Sequence, residues 1–348
     1  MRFMICLCAV WFATLSMGAQ RGSTVRSTLD QFLTTRFGLR AAQLAALKRG
    51  EPVAVQLSGS VDREIVVGGA VRIQAPVERT VALVRDIERL ESGPSFLHTR
   101  RLSEPPRLDD FAGFEVTPDD LAALRRCRPG KCDVNLGQKA FDELARIDWS
   151  RPDAAGHVSA LARQSALEYV EAYRQGGNEA LAVYTDRERP LSVAQEFADM
   201  VRRTSQLPDV MPELADHLLG HPTAPRPKDA EDFYYWSVAD FGLKPVFRLN
   251  YVVIHRPQSP IATRYAIATK QLYANHYFHT ALEVRSLIDD DAQPGIAHYL
   301  VVLNMARLDG LTGLFGGLVK SRVRAASRSG LERSLLATKR LAERTSAQ

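Results

Sequence analysis

Cysteine is scarce: four occur in 348 residues, and two of these, Cys6 and Cys8, fall in the opening hydrophobic stretch. The other two, Cys127 and Cys132, stand in the segment CRPGKC. A dithiol redox motif needs two intervening residues, and here there are four. A zinc site needs further ligands, and the neighbouring sequence offers no histidine. In an oxidising compartment the pair predicts a disulfide around Pro129 and Gly130. Closing so short a loop is worth only about 2 kcal/mol in the chain-entropy picture.

Long apolar runs are also lacking after the N-terminus. No later segment has 18 apolar residues in succession, which excludes an internal transmembrane helix. The start, MRFMICLCAVWFATLSMGAQ, has a short positive region at Arg2, an apolar run over residues 4–15, and small residues Ser16 and Gly18 at the −3 and −1 positions. Residues 1–18 therefore read as a secretory signal peptide, with an uncleaved anchor as the alternative. Neither Cys6 nor Cys8 has a lipid-attachment pattern before it. The expected location is exported, periplasmic or extracellular. A net charge of +5 is too small to imply nucleic acid, and none is expected as a partner. No nucleophile elbow, P-loop or dinucleotide fingerprint occurs in a proper context; Gly68–Gly69 and Gly316–Gly317 do not qualify. No cofactor is predicted.

What is present is a chain long enough, at 45% hydrophobic, for a substantial core in one large domain or two small ones. Over residues 19–50, Leu29, Phe32, Leu33, Phe37, Leu44 and Leu47 recur at three- and four-residue spacing, predicting an N-terminal helix that Gly50 and Pro52 close. From Val53 the period becomes two. Residues 65–73, IVVGGAVRI, read as a strand interrupted at Gly68–Gly69 by a bulge or a close backbone approach. Pro76 opens a helix striped by Val77, Val81, Val84 and Ile87.

The strand-to-helix step RIQAPVERTVALVRDI, residues 72–87, resembles the opening of the START-like, or helix-grip, superfamily of lipid-transfer domains and polyketide cyclases. The resemblance spans residues 53–125 and 232–345. It implies an α+β fold in which a curved antiparallel sheet grips a long C-terminal helix. The first part of the domain is then 51–140 and the last part 231–345. Residues 141–230, which it does not account for, read as a helical insertion: Val158, Leu161, Leu167, Val170 and Tyr173, then Phe197, Met200 and Val201, are its apolar positions. Before it, Thr117 caps a helix at Pro118, residues 133–136 suggest a short strand, and residues 140–147 another helix.

Strand signals return at Phe233 and continue through residues 246–255, 264–285 and 297–306. The segment RYAIATKQLYANHYFHTALEVR, residues 264–285, reads as one long strand or two consecutive ones and carries the densest set of polar groups able to face an enclosed space. Lys270, Tyr273, Asn275 and His276 could orient a ligand at one end of an apolar pocket, with Tyr251 and Asn304 adding to it. Period-two logic sets Phe278, Leu282 and Val284 on one face with His276, so His276 and Phe278 are expected to point inward. His276 and His279, as H-x-x-H on a strand, face opposite ways and cannot chelate a metal. An acid–base pair would draw on Asp309 or Glu283, the nearest carboxylates in sequence. Residues 311–345 predict a long helix whose first stripe is Leu311, Leu314, Phe315, Leu318, Val319 and Val323. After residue 319 it holds eight Lys or Arg and two Glu, suiting either a solvated outer face or an anionic membrane surface.

The expected function is non-catalytic: an exported protein that holds or carries a hydrophobic, lipid-like molecule between sheet and C-terminal helix, at Lys270, Tyr273, Asn275, His276, Phe278, Tyr251 and Asn304. The alternatives are a cyclase- or hydrolase-like enzyme using His276 and Tyr273, and a structural or membrane-surface protein with no ligand.

Overall fold

In the computed structural model, residues 28–203, 207–257, 263–310 and 316–344 are described. The N-terminal segment read as a signal peptide, and the helical stripe from Leu311 to Val319, lie outside the described side chains. The helical stretch after residue 28 is divided: α1 (Leu29–Phe37) stops at Gly38, whose φ of 67° reverses the chain, and α2 (Ala41–Lys48) follows. Two strands come next, β1 (Val53–Leu57) and β2 (Glu64–Ile73), then α3 (Val77–Arg85), α4 (Ile87–Leu90) and β3 (Phe96–Arg101). Pro76 caps α3, and Val77, Val81 and Val84 are buried as the stripe requires.

Between β3 and β6 the chain makes one long helical excursion, hereafter the insertion, which takes in the segment 141–230 and the residues before it: α5 (Pro118–Leu124), α6 (Gln138–Leu144), α7 (Ala154–Gly176), a small hairpin of the two-residue strands β4 (Val183–Tyr184) and β5 (Leu191–Ser192), α8 (Val193–Arg203), α9 (Leu207–Val210) and α10 (Pro212–Gly220). Thr117 caps α5 by accepting from the Asp120 backbone N–H at 3.1 Å. Residues 133–136 are not a strand; their polar groups instead bond to a later hairpin. A disulfide joins Cys127 and Cys132 beside that loop.

Five long strands follow: β6 (Glu231–Ala239), β7 (Val246–His255), β8 (Thr263–Ala274), β9 (Phe278–Asp289) and β10 (His298–Leu308), and then α11 (Gly316–Glu343). The segment 264–285 is thus a hairpin, turned at Tyr277 with φ 60°. The strands form one curved antiparallel sheet of eight in the order β1-β2-β10-β9-β8-β7-β6-β3. The chain leaves the sheet after its edge strand β3, builds the insertion, and re-enters beside β3 as β6.

Alternation along these strands divides the interior in two. Ile65, Val67, Val71, Val252, Ile254, Ile267 and Leu287 face α3 and α11, the gripped helix. Val66, Leu249, Tyr251, Val253, Ala268, Leu282, Val284 and Met305 face the insertion. Gly68 and Gly69 sit in a β2 that pairs without a register shift, so they mark close approach and not a bulge. A Cβ on Gly68 would meet the Phe37 ring at 2.8 Å, and one on Gly69 would meet Leu331 at 2.9 Å and Leu335 at 3.1 Å. One glycine seats α1 and its neighbour seats α11, on opposite faces. The seated part of α11 is apolar at Leu331, Leu335 and Ala342, spaced four and seven residues apart along the same side.

Gly69→Val should therefore push α11 off β2. We expect a loss of about 1–3 kcal/mol in urea unfolding, of the size seen for overpacked cores, while Gly156→Ala, whose added Cβ would meet nothing within 4 Å, should cost less. Equal midpoints for Gly69→Val and the parent chain would show that α11 is not held by this contact.

Candidate functional site

The gripped face of the sheet is apolar towards α3 and the C-terminal half of α11, and polar across its middle. Cross-strand pairing sets Tyr235 opposite Asn250 and Asn250 opposite Gln271. One step along, Val252, Thr269, Glu283, Asn304 and Val67 lie side by side across five strands. A row of amides and hydroxyls thus crosses the sheet between two apolar zones.

The charges in this row are neutralised internally. Arg285 pairs with Glu283. Arg248 donates to Ser237 Oγ at 2.8 Å and lies 3.7 Å from Glu91, which also accepts from Tyr235 OH at 3.0 Å and Thr99 Oγ1 at 3.1 Å. Burial pushes the Glu91 carboxyl up from its ordinary value, against the pull of Arg248 and these hydroxyls. The amides are not neutralised in this way. Asn250 is 2% exposed and Gln271 4% exposed, yet Asn250 Nδ2 and Gln271 Nε2 have no hydrogen-bond partner among the described residues. The same holds for Thr269 Oγ1 and Asn304 Oδ1. A buried donor or acceptor left unpaired costs about 1–3 kcal/mol, and four such atoms lie on these two neighbouring rows.

The seven residues singled out from the sequence do not share one compartment. Asn304 lies in the gripped-face row. Tyr251 and Lys270 face the insertion: Tyr251 OH donates to Asp232 at 2.8 Å and meets His217 Nε2 at 3.0 Å. Lys270 Nζ donates to Tyr173 OH at 3.2 Å and to Asn178 Oδ1, and sits 4.0 Å above the Phe197 ring. Residue Leu272 is an extra residue between the pairs Asn250–Gln271 and Leu249–Tyr273, and this bulge turns Tyr273 to the insertion side as well. Tyr273 and Asn275 border a cleft between sheet and insertion.

His276 is inward, 2% exposed, but as a fastener: Nε2 meets Asp120 Oδ1 at 2.9 Å and Nδ1 meets the Asp133 carbonyl at 2.9 Å. Both ring nitrogens are occupied in joining the hairpin to α5. Phe278 is half-buried and parts from Leu282 and Val284, because the register shifts between Arg307 and Leu308; it packs with the gripped-face core and with Phe241. The carboxylates nearest in sequence serve elsewhere: Asp309 accepts from His279 at 2.7 Å and from Arg187 at 3.0 Å. No group of three or more His, Cys, Asp or Glu that could hold a metal occurs among the described residues. Sequence reasoning missed Asn250, Gln271 and Thr269. The alternation of residues 246–255 did set Asn250 apart from Leu249 and Tyr251, and that signal could have found it.

No family model matches this chain, and no curated protein matches it. Among solved structures it is similar to a START superfamily protein from Mycobacterium smegmatis, at 13% identity and TM-score 0.24, covering 43% of this chain and 89% of that one. It is also similar to Ara h 8.0201, at 14% identity and TM-score 0.18, covering 44% and 91%, and to the di-domain ARO/CYC StfQ from the steffimycin biosynthetic pathway, at 13% identity and TM-score 0.22, covering 79% and 98%. The resemblance is weak and is one of fold alone.

Lys270 yields a prediction about stability. It is 0% exposed, and burial drives its ammonium well below the ordinary lysine value. A folded value below the unfolded one means the unfolded chain binds the extra proton, so this group's contribution is fully present only above about pH 10.5 and declines as pH falls towards the folded value. Lys270→Met should accordingly stabilise the fold at pH 7 by about 1–3 kcal/mol, and its advantage over the parent should narrow by pH 9.5 in denaturant titrations. A constant difference across that range would contradict the assignment.

Proposed function

We propose that this protein is an exported carrier or holder of a hydrophobic, lipid-like small molecule, bound between the gripped face of the sheet and α11. The observation that supports it is the row of unspent polar groups, Asn250, Gln271, Thr269 and Asn304, set between apolar zones of a buried face. Small-molecule sites are built this way, with mostly apolar walls and a few placed polar groups that fix orientation. In this reading the apolar body of the ligand lies along Val67, Val252 and Ile267, and its polar end takes the amides. The N-terminal segment 1–18 supplies export, and the Cys127–Cys132 disulfide suits the oxidising compartment it leads to.

Native mass spectrometry of the protein purified from the exported fraction should show a co-purified small molecule. The double variant Asn250→Leu, Gln271→Leu should lose most of that occupancy and unfold at higher denaturant concentration, since two unpaired buried groups disappear. Full occupancy in the double variant would overturn the assignment.

A membrane surface is a second partner favoured by one observation. On α11, Arg322, Arg328, Arg333, Arg340 and Arg344 are exposed and form no ion pair with the described residues. Each basic residue near an anionic bilayer contributes about 1 kcal/mol. Flotation with vesicles containing 30–40% phosphatidylserine should retain the parent chain at low salt and release the variant Arg328→Glu, Arg333→Glu, Arg340→Glu; no retention of the parent would remove this partner.

A further inference from the structure

A second compartment lies on the other face of the sheet. It is a cleft of about 470 Å³ between β7, β8 and the insertion helices α5, α6 and α7, inside the range of about 300–1,000 Å³ typical of small-molecule sites. Leu124, Leu144, Val158, Leu161, Ala162 and Leu249 give it apolar walls.

The buried polar side chains at its sheet end are already engaged within the chain. Tyr169 OH donates to the Leu272 carbonyl at 3.0 Å and accepts from the Ala182 N–H at 2.9 Å. Tyr273 OH donates to the Asn135 carbonyl at 2.8 Å. Asn275 accepts from the Phe247 N–H at 2.9 Å and donates to Asp120 at 3.3 Å. Asn135 donates to the Ala274 carbonyl at 2.8 Å and accepts from Arg187 at 2.8 Å. Lys139 bridges Glu168 at 2.5 Å and Glu143 at 3.7 Å. None of the lining side chains appears among those with an unpartnered buried polar atom, in contrast to the gripped face. Burial raises the phenols of Tyr169 and Tyr273 far above their ordinary value, so both present rings and not charge.

We infer that this cleft is a second binding site, for an uncharged and wholly apolar guest such as an aromatic or aliphatic hydrocarbon group. A guest that carried a carboxylate or several hydroxyls to the buried end, against Leu249 and Tyr273, would lose water and find no unspent partner there, at a cost of several kcal/mol. A hydrocarbon loses nothing by entering, as dry apolar cavities that take up benzene illustrate. The insertion is what creates the site, because every wall other than β6, β7 and β8 comes from it or from the segments adjoining it.

The test is a titration of the purified full chain with N-phenyl-1-naphthylamine, followed by fluorescence and by methyl NMR. Shifts are expected at Val158, Leu161 and Leu249 in the cleft, and not at Val67 or Val252 on the gripped face. Ala162→Phe, which fills the space from α7, should weaken binding about tenfold or more, and Ser165→Leu offers the same test should the first variant fold poorly. The Asn250→Leu, Gln271→Leu variant should bind the probe within about twofold of the parent, so failure of the gripped-face reading leaves this one standing. Naphthalene-1-carboxylate should leave the cleft methyls unmoved. Undiminished probe binding in the filled variants, shifts confined to the gripped face, or equal binding of the carboxylate would each overturn the proposal.

Discussion

Strict alternation of side chains across a sheet covered on both faces is the constraint on which the rest of this structure depends. β10 pairs with β2 and with β9 in unbroken register from His298 to Arg307, so a slip of one residue would exchange the two interiors wholesale. Asn304 and Glu283 would turn to the insertion, and Met305 and Leu282 to α11. The register is held from both sides. Gly69 admits Leu331 and Leu335 on one face, and Gly68 admits Phe37 on the other. On the insertion side, buried Arg307 donates to Glu64 at 2.9 Å, Glu196 at 3.0 Å and Asp199 at 2.6 Å, tying β10 and β2 to α8. A guanidinium that is 1% exposed must keep these partners, because a buried charge left alone costs about 3–5 kcal/mol. The insertion is therefore locked to the sheet by chemistry as well as by packing.

Local signals carried much of the fold. The change of period at Val53, the step into α3 at Pro76, the cap at Thr117 and the return of strand pattern at Phe233 are each decided by neighbouring residues, and each is found where its chemistry places it. The curved sheet with its long terminal helix and helical insertion was legible for that reason. Gly38 was the local signal passed over: one residue with positive φ splits a helical stretch that periodicity alone reads as continuous.

The site was less legible, because its geometry depends on features that single-strand periodicity cannot register. Lys270 and Tyr273 are three apart and should oppose one another, yet the extra residue at Leu272 sets them on one face. Phe278 and Leu282 are four apart and should agree, yet the irregularity at Arg307–Leu308 parts them. A bulge is defined by the partner strand, which the sequence of one strand does not contain. Distance along the chain hides the rest. His276 finds its carboxylate in Asp120, 156 residues earlier, whereas the acidic residues close to it in sequence, Asp309 and Glu283, are engaged with His279, Arg187 and Arg285.

The two compartments differ in the state of their amides, and this difference has a structural origin. Asn135 and Asn275, in the cleft, stand where irregular backbone meets a strand end, among carbonyls and N–H groups that no ladder has taken up. Their side chains complete that backbone hydrogen bonding and are spent in doing so. Asn250 stands in the middle of a long strand, paired on one side with Tyr235 and on the other with Gln271, which itself lies beside the bulge in β8. The amide nitrogens of Asn250 and Gln271 find no partner among the described residues. They face a buried surface at a cost to stability that apolar side chains of the same size would avoid. Polar residues at such positions weigh on the stability of the fold, and the gripped face differs in this from the polar residues around the hairpin, whose side chains are engaged with backbone groups.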